Sequence, residues 1–351
     1  MDTVSIGMVG CGFMGLTYSE AITRHVTGAR LVAVAGGSRA GKLAAEYSVP
    51  AEPSVEALLA RKDVDGVVIA TPDQVHRELT EKAAAAGKHI LVEKPMAPTV
   101  ADCDAMSAAC DRAGVLLAVV KTERYRKVTR SAKRLIDDGA IGPVWMVRTM
   151  SCFPITLTRQ ILGPTNYMRD PRSGGLFMGM ASHNADFLRW LTGADAVKVF
   201  AQVHTYSDLG VPAQSVMAQI AFANGVMGDM WISSELPGPS WPSSEVRFQV
   251  IGRDGMLDLE NFEFLELGKG DKWERVFTPE RFSWLKEPKS PVRLDPHRGV
   301  IQEFVDAIRE QRAPKVGAAE GRAAVEICEA CLMSARTGQA VALPLTEGPR
   351  R

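Results

Sequence analysis

The sequence predicts an α/β N-terminal domain with a doubly wound parallel sheet, followed by an α+β C-terminal domain with a largely antiparallel open sheet. Three observations carry this. Over residues 1 to 122, apolar β-rich runs alternate with helical stretches closed by glycines. From residue 196 onward, strand-like runs follow one another, and Asn224-Gly225 and Asp254-Gly255 supply hairpin signals between some of them. The chain has 351 residues, too many for one small domain. The expected division is 1–122 and 123–351.

The first domain opens with the strand Val4-Ser5-Ile6-Gly7-Met8-Val9. Gly10-Cys11-Gly12-Phe13-Met14-Gly15 follows, and Leu16 to Val26 reads as a helix. A G-x-G-x-x-G set between strand and helix is the Rossmann dinucleotide turn. Its glycines let a pyrophosphate approach the backbone, and the helix N-terminus offers N–H groups to the phosphates. A plain glycine-rich strand-to-helix turn is the bland alternative. The next strand, Ala29 to Ala35, ends in Gly36-Gly37-Ser38-Arg39. An NAD site usually places an acid there, on the ribose 2′-hydroxyl. Ser38 and Arg39 suit a 2′-phosphate instead, so NADP is favoured over NAD.

Residues 64–70 form the next strand, ending in Thr71-Pro72-Asp73, and Gln74 to Ala86 reads as a helix with Gly87 as its cap. Ile90-Leu91-Val92 is a strand stopped by Pro95, which has no N–H to give the ladder. That leaves Glu93 and Lys94 at a carboxyl strand end, the edge where open parallel sheets bind ligands. A surface ion pair before a turn is the alternative. A helix from about Val100 to Ala113 and a strand over 115–120 complete the alternation. The glycine turn, Thr71-Pro72 and Glu93-Lys94 thus converge on one edge, which marks Lys94 as functional.

In the second domain a helix is expected from about Tyr125 to Asp138 and a strand over 144–150. Pro154 to Ser173 reads as irregular and carries Arg159, Asn166, Tyr167, Arg169 and Arg172, a density that suits a polar ligand or a solvated loop. Residues 174–193 read as a glycine-bounded helix with His183 and Asp186 three apart on one face. Strands are expected at 196–204, 215–223, 226–234, 245–252 and 255–267, then helices at 298–310 and 318–336. One face of such a sheet packs on helices, and the other is free for self-association into a homodimer or homotetramer.

With 41 basic and 41 acidic residues, the charge balance argues against nucleic-acid and polybasic membrane partners. No apolar run approaches the roughly 20 residues of a membrane span, and no basic leader with an apolar core stands at the start. A cytoplasmic protein is expected. Cys328 and Cys331 make a C-x-x-C in an Ala-rich helical stretch without a second ligand pair, so no metal site is expected.

Taken together, these parts resemble the Gfo/Idh/MocA family, that of glucose–fructose oxidoreductase and inositol dehydrogenase. The resemblance rests on Gly10-x-Gly-x-x-Gly15, Ala70-Thr71-Pro72 with His76, Glu93-Lys94-Pro95, Arg124-Tyr125, Gly139-x-Ile141-Gly142, Gly174-Gly175 with His183-x-x-Asp186, and the tail Ser334 to Gly338 with Leu343-Pro344. Such enzymes oxidise or reduce a secondary alcohol or ketone on sugars, cyclitols and related diols with NAD(P). The resemblance implies a dinucleotide at Gly10, Gly12, Phe13, Met14, Thr71, Pro72, His76 and Glu93, and a catalytic lysine at Lys94. One position departs. Many of these dehydrogenases have Asp four residues before the catalytic His, and here that residue is Gly179.

The expected chemistry is hydride transfer at a sugar, glycoside or cyclitol carbon. Lys94 steadies the developing alkoxide and His183 handles the proton. Arg124, Tyr167, Arg169 and Asn184 are the candidate substrate contacts. Gly179 also leaves room for a dinucleotide-binding sensor with impaired catalysis; a third reading is a redox-cycling enzyme with tightly bound cofactor.

Overall fold

The computed structural model describes residues 3–163, 166–283 and 286–345. The chain forms two compact units. The first comprises Met1–Ala97, Ala101–Tyr125 and Phe282–Arg322; the second comprises Pro98–Val100, Arg126–Arg281 and Ala323–Arg351.

The first unit begins with β1 (Val4–Val9), α1 (Phe13–Arg24), β2 (Ala29–Ala35), α2 (Ala40–Tyr47), α3 (Val55–Leu59), β3 (Gly66–Ile69), α4 (His76–Ala85), β4 (His89–Val92), α5 (Val100–Ala113) and β5 (Leu117–Val119). The strands order as β2-β1-β3-β4-β5, all parallel. A further parallel bridge joins Val34 to Ala51 on the outer side of β2. Counted as a rudimentary strand, it completes the order of a dinucleotide-binding sheet. Every residue of β1 and β3 is buried, as expected of strands covered on both faces. Neither α2 nor α3 is among the elements expected from sequence; both are short, of 8 and 5 residues.

The second unit holds α6 (Lys127–Asp137), β6 (Val144–Pro154), α7 (Ile155–Leu162), α8 (Gly175–Thr192), β7 (Ala196–His204), β8 (Ser215–Phe222), β9 (Met227–Leu236), β10 (Arg247–Gly252), β11 (Met256–Glu260), β12 (Phe264–Lys269) and β13 (Lys272–Phe277). After these come α9 (Pro291–Arg309), α10 (Ala318–Thr337) and β14 (Val341–Ala342). Nine strands order as β13-β12-β11-β10-β6-β9-β8-β7-β14. β6 and β9 run parallel, and the other neighbours are antiparallel. Alternation is clear in β8, whose Val216, Ala218, Ile220 and Phe222 are buried while Met217 and Gln219 are exposed. The buried side packs on α8, where Phe187 meets Phe248 edge-on with centroids 4.3 Å apart.

Three sequence expectations change. The run 255–267 is two strands, because Glu263 N–H turns back to the Glu260 carbonyl at 3.1 Å. β13 is an edge strand whose first five residues are exposed, so it carries no alternation to read. Part of the stretch read as irregular is helix α7, although residues 164 and 165 lie outside the described residues. In addition, the helix expected from residue 298 starts at Pro291, a proline well suited to the first turn. Its Val300, Ile301, Phe304, Val305 and Ile308 join Ile6, Met8, Tyr18 and Ile22 in the core of the first unit. The segment 282–322 therefore returns to that unit, whereas the sequence reading ran one domain from 123 to 351.

Glu260, at the end of β11, is 1% exposed. It accepts the Phe262 N–H at 2.8 Å and the Val246 N–H at 3.0 Å. Burial pushes its carboxyl from the ordinary 4.5 up to about 7. The folded protein therefore binds this proton more tightly than the unfolded chain. The contribution is fully favourable below about pH 4.5 and is lost as pH rises through about 7. Melting temperature should fall across that window, and Glu260→Gln should flatten the profile. A variant profile parallel to that of wild type would count against it.

Candidate active site

Register places the strand ends of the first unit side by side. Val9 is level with Ala35 of β2 and Ile69 of β3, Ile69 with Val92 of β4, and Val92 with Val119 of β5. The chain thus leaves the sheet at Gly10, Gly36, Ala70 and Glu93 along one carboxyl edge. The turn after β1 is tied to the end of β2: Gly10 N–H donates to Ala35 O at 2.9 Å and Cys11 N–H to Gly36 O at 3.2 Å.

The glycines have distinct roles. Gly10 has φ +95°, and a Cβ there would lie 2.4 Å from the Ala70 carbonyl oxygen. At Gly15 a Cβ would lie 2.1 Å from the Gly10 carbonyl oxygen. These two positions permit the tight turn and the close approach of helix to strand. Gly12 is exposed with nothing near its missing Cβ, and it opens α1 without a side-chain cap. The first N–H groups of α1 are therefore unobstructed, as a pyrophosphate requires. Phe13 is half-exposed and Met14 half-buried beside this turn. Ser38 and Arg39 are exposed where α2 begins. Thr71 Oγ1 is buried without a hydrogen-bond partner from the chain, an acceptor and donor that a bound dinucleotide can satisfy. The residues present fit a dinucleotide.

His76 and Glu93 are both engaged in hydrogen bonds within the first unit. His76 is fully buried. One ring nitrogen faces the Thr71 carbonyl at 3.0 Å; the other faces those of Pro95 and Met96 at 3.1 and 3.2 Å. It braces the turns after β3 and β4 against each other. Glu93 is 6% exposed, and its oxygens accept from the Tyr18 hydroxyl and from the Lys94 N–H at 2.7 Å. Burial and the adjacent carboxylate hold the Tyr18 hydroxyl well above its usual range. Tyr18 was not singled out from sequence, because one tyrosine in an apolar helix carries no distinguishing signal. Lys94 is half-buried at the edge, and Pro72 half-buried where a short 3₁₀ turn begins. Arg124 is half-buried in the 3₁₀ turn Thr122–Tyr125 beyond β5.

In the second unit, Asn166 caps the 3₁₀ turn Tyr167–Arg169 by accepting the Met168 N–H at 2.9 Å. Tyr167 is exposed. Arg169 donates to the carbonyls of Gly163 and Leu209 at 2.9 and 2.6 Å, which fixes its side chain against the loops. Arg159 and Arg172 are held by Asp208 and Asp170. His183 is half-buried on α8, one turn after Gly179. Among the described residues, a Cβ at Gly179 would meet the Met168 methyl at 3.9 Å, an ordinary van der Waals contact, so a methyl group fits there. Asn184 is 1% exposed, and its amide donates to Thr149 Oγ1 at 2.6 Å and Ser151 Oγ at 3.0 Å. It fastens α8 to β6.

Residues 4–121 match the family profile described as "Oxidoreductase family, NAD-binding Rossmann fold", and residues 129–258 match "GFO/IDH/MocA C-terminal domain". The chain belongs to the Gfo/Idh/MocA family. It is an NAD-binding oxidoreductase by that membership. Among curated relatives, inositol 2-dehydrogenase 2 of Saccharopolyspora erythraea is 29% identical, with 99% of this chain and 97% of that protein covered. D-apiose dehydrogenase of Paraburkholderia graminis is 27% identical over 97% of this chain and 90% of its own length. Among solved structures, a putative myo-inositol dehydrogenase from Sinorhizobium meliloti superposes with a TM-score of 0.80 at 27% identity, covering 97% of this chain and 100% of the other. Among the described residues no helix is long and apolar enough to cross a membrane, and no group of His, Cys, Asp and Glu is arranged to hold a metal.

The two helix-associated glycines predict opposite outcomes. Gly10→Ala should cost about 1–3 kcal/mol of stability and weaken dinucleotide binding, because a carbonyl cannot move aside as a side chain can. Gly179→Ala should stabilise by about 0.5–1 kcal/mol, since it removes a glycine from a helix interior with space to spare. Thermal melts and NADH titration check both.

Proposed function

We propose that this protein is an NAD(P)-dependent dehydrogenase or reductase that moves a hydride at a secondary alcohol or ketone carbon of a sugar, glycoside or cyclitol. The observation that supports it most is the shared carboxyl edge, where the glycine turn, Thr71 and Lys94 leave the sheet at one level. The names of the inositol and D-apiose relatives support a polyhydroxylated substrate. When bound, the nicotinamide supplies or accepts the hydride. Lys94 hydrogen-bonds the oxygen of the reacting carbon and stabilises its alkoxide form. His183 takes or returns the hydroxyl proton. Tyr167, Arg169 and Arg124 are the proposed substrate contacts. The first unit is the proposed dinucleotide-binding part, and the second the substrate-recognising and self-associating part.

NADP is the proposed preference. Gly36 and Gly37 place no acid at the end of β2, and Arg39 is exposed beside them. A cytoplasmic setting is proposed because the six cysteines are buried and none is in a disulfide, which suits a reducing compartment. Lys94→Ala should lower turnover about 100-fold or more while NADPH still binds. Near-wild-type turnover on a panel of sugars, glycosides and cyclitols would remove Lys94 from the mechanism. Arg39→Ala should weaken NADPH about tenfold and leave NADH unchanged in fluorescence titration; equal effects on both would point to NAD.

Self-association as a homodimer or homotetramer through the open face of the nine-stranded sheet is also proposed. Its central strands carry Met146, Met217, Met227 and Phe200 exposed. Around Arg148 and Asp229, which pair at 3.7 Å, lies a shallow cleft of about 570 Å³. A patch holding both charge signs can complement its own copy across a two-fold axis. The combined change Phe200→Asp with Met227→Lys should bring the mass in light scattering down to the 38.0 kDa of one chain. A wild-type protein already monomeric at micromolar concentration would contradict the proposal.

A further inference from the structure

α9 sends one residue to the dinucleotide turn. Arg293 is 1% exposed, the largest of the fully buried side chains. Its Nη2 donates to Thr17 Oγ1 at 2.9 Å, and Thr17 Oγ1 donates in turn to the Phe13 carbonyl at 3.0 Å. The guanidinium also lies over the Phe13 ring, 4.6 Å from its centroid. Its Nη1 donates to the Pro288 carbonyl at 2.6 Å, which anchors it to the segment leading into α9. Residue 13 is thus held at its ring directly, and at its carbonyl through Thr17, by a side chain 280 positions away in sequence.

Burying a guanidinium is costly unless its N–H groups and charge are met. Here Thr17 Oγ1 meets Nη2, the Pro288 carbonyl meets Nη1, and the Phe13 ring covers one face of the guanidinium plane. Phe13 is the first residue of α1, and its N–H is among those left open by Gly12. Its ring is half-exposed, one face turned to the guanidinium. Without an anchor, a glycine-rich turn is free to adopt many backbone conformations, and ordering it on binding weakens affinity. A planar cation that both stacks and hydrogen-bonds can do this in a way a lysine cannot.

We propose that Arg293 is a positioning residue for the dinucleotide, clamping Phe13 by backbone and ring so that the glycine turn is preformed for the pyrophosphate. This rests on the first unit binding a dinucleotide. Arg293→Met, which keeps the volume but not the plane or the charge, should raise the Kd for NADPH and for ADP-ribose about tenfold, since both carry the pyrophosphate. Adenosine, which lacks it, should bind as to wild type in ligand-observed NMR. Thr17→Val should give a smaller loss of the same pattern and guards against a poorly folded Arg293 variant. Phe13→Leu combined with Arg293→Met should be no worse than Arg293→Met alone, because both act through residue 13. NADPH affinity within twofold of wild type in both Arg293→Met and Thr17→Val overturns the clamp and leaves the dinucleotide reading standing. Adenosine weakening in step with NADPH also overturns it, by showing general damage. A wild-type protein that binds neither NADPH nor NADH overturns both readings.

Discussion

Glu93 sits at the end of β4 with one carboxylate oxygen on the Tyr18 hydroxyl and the other on the Lys94 N–H. A carboxylate 6% exposed is tolerable only with such partners. The two bonds set the path of the chain at the carboxyl edge of the sheet. One ties β4 to α1, the helix that follows the glycine turn. The other fixes the backbone from which the Lys94 side chain departs. If Glu93 were lost, a buried hydroxyl and a backbone N–H would each want a partner, at about 1–3 kcal/mol apiece. His76 continues the scaffold by joining the turns after β3 and β4 through their carbonyls. Glu93 and His76 thus form a frame on which Thr71 and Lys94 are mounted.

The two sheets answer the problem of covering apolar strands in different ways. The parallel sheet is roofed on both faces, and β1 carries no exposed residue. The nine-stranded sheet is roofed on one. Its other face keeps methionines, Phe200 and the Arg148–Asp229 pair at its middle. The carboxyl of Asp229 is raised by burial even so, which marks this face as partly desolvated. Methionine suits such a surface because it adapts to whatever packs on it.

How much of this was legible depended on the kind of interaction. β1, the glycine turn and β4 were read because each is a local run with a physical stop, such as Pro95. The open face of the second sheet follows from successive strand-like runs and hairpin turns, which imply an antiparallel sheet with one face packed on helices. The bonds of Asn184 are hidden from sequence because its partners Thr149 and Ser151 lie over thirty positions earlier. The same distance hid Tyr18 and Arg293, whose roles come from pairings with Glu93 and Thr17. β13 escaped because an exposed edge strand has no buried side to announce it. The division near 122 missed the return of 282–322, because an amphipathic helix does not say which core its apolar face will meet.

That return has a consequence for synthesis. The core under β1 and α1 includes Val300, Ile301, Phe304, Val305 and Ile308. A nascent chain made from its N-terminus holds the five parallel strands long before it holds their cover. Until α9 has left the ribosome, the apolar residues of α1 and β1 lack part of the wall they finally pack against. The Rossmann unit, though first in sequence, is among the last parts of the molecule to be finished.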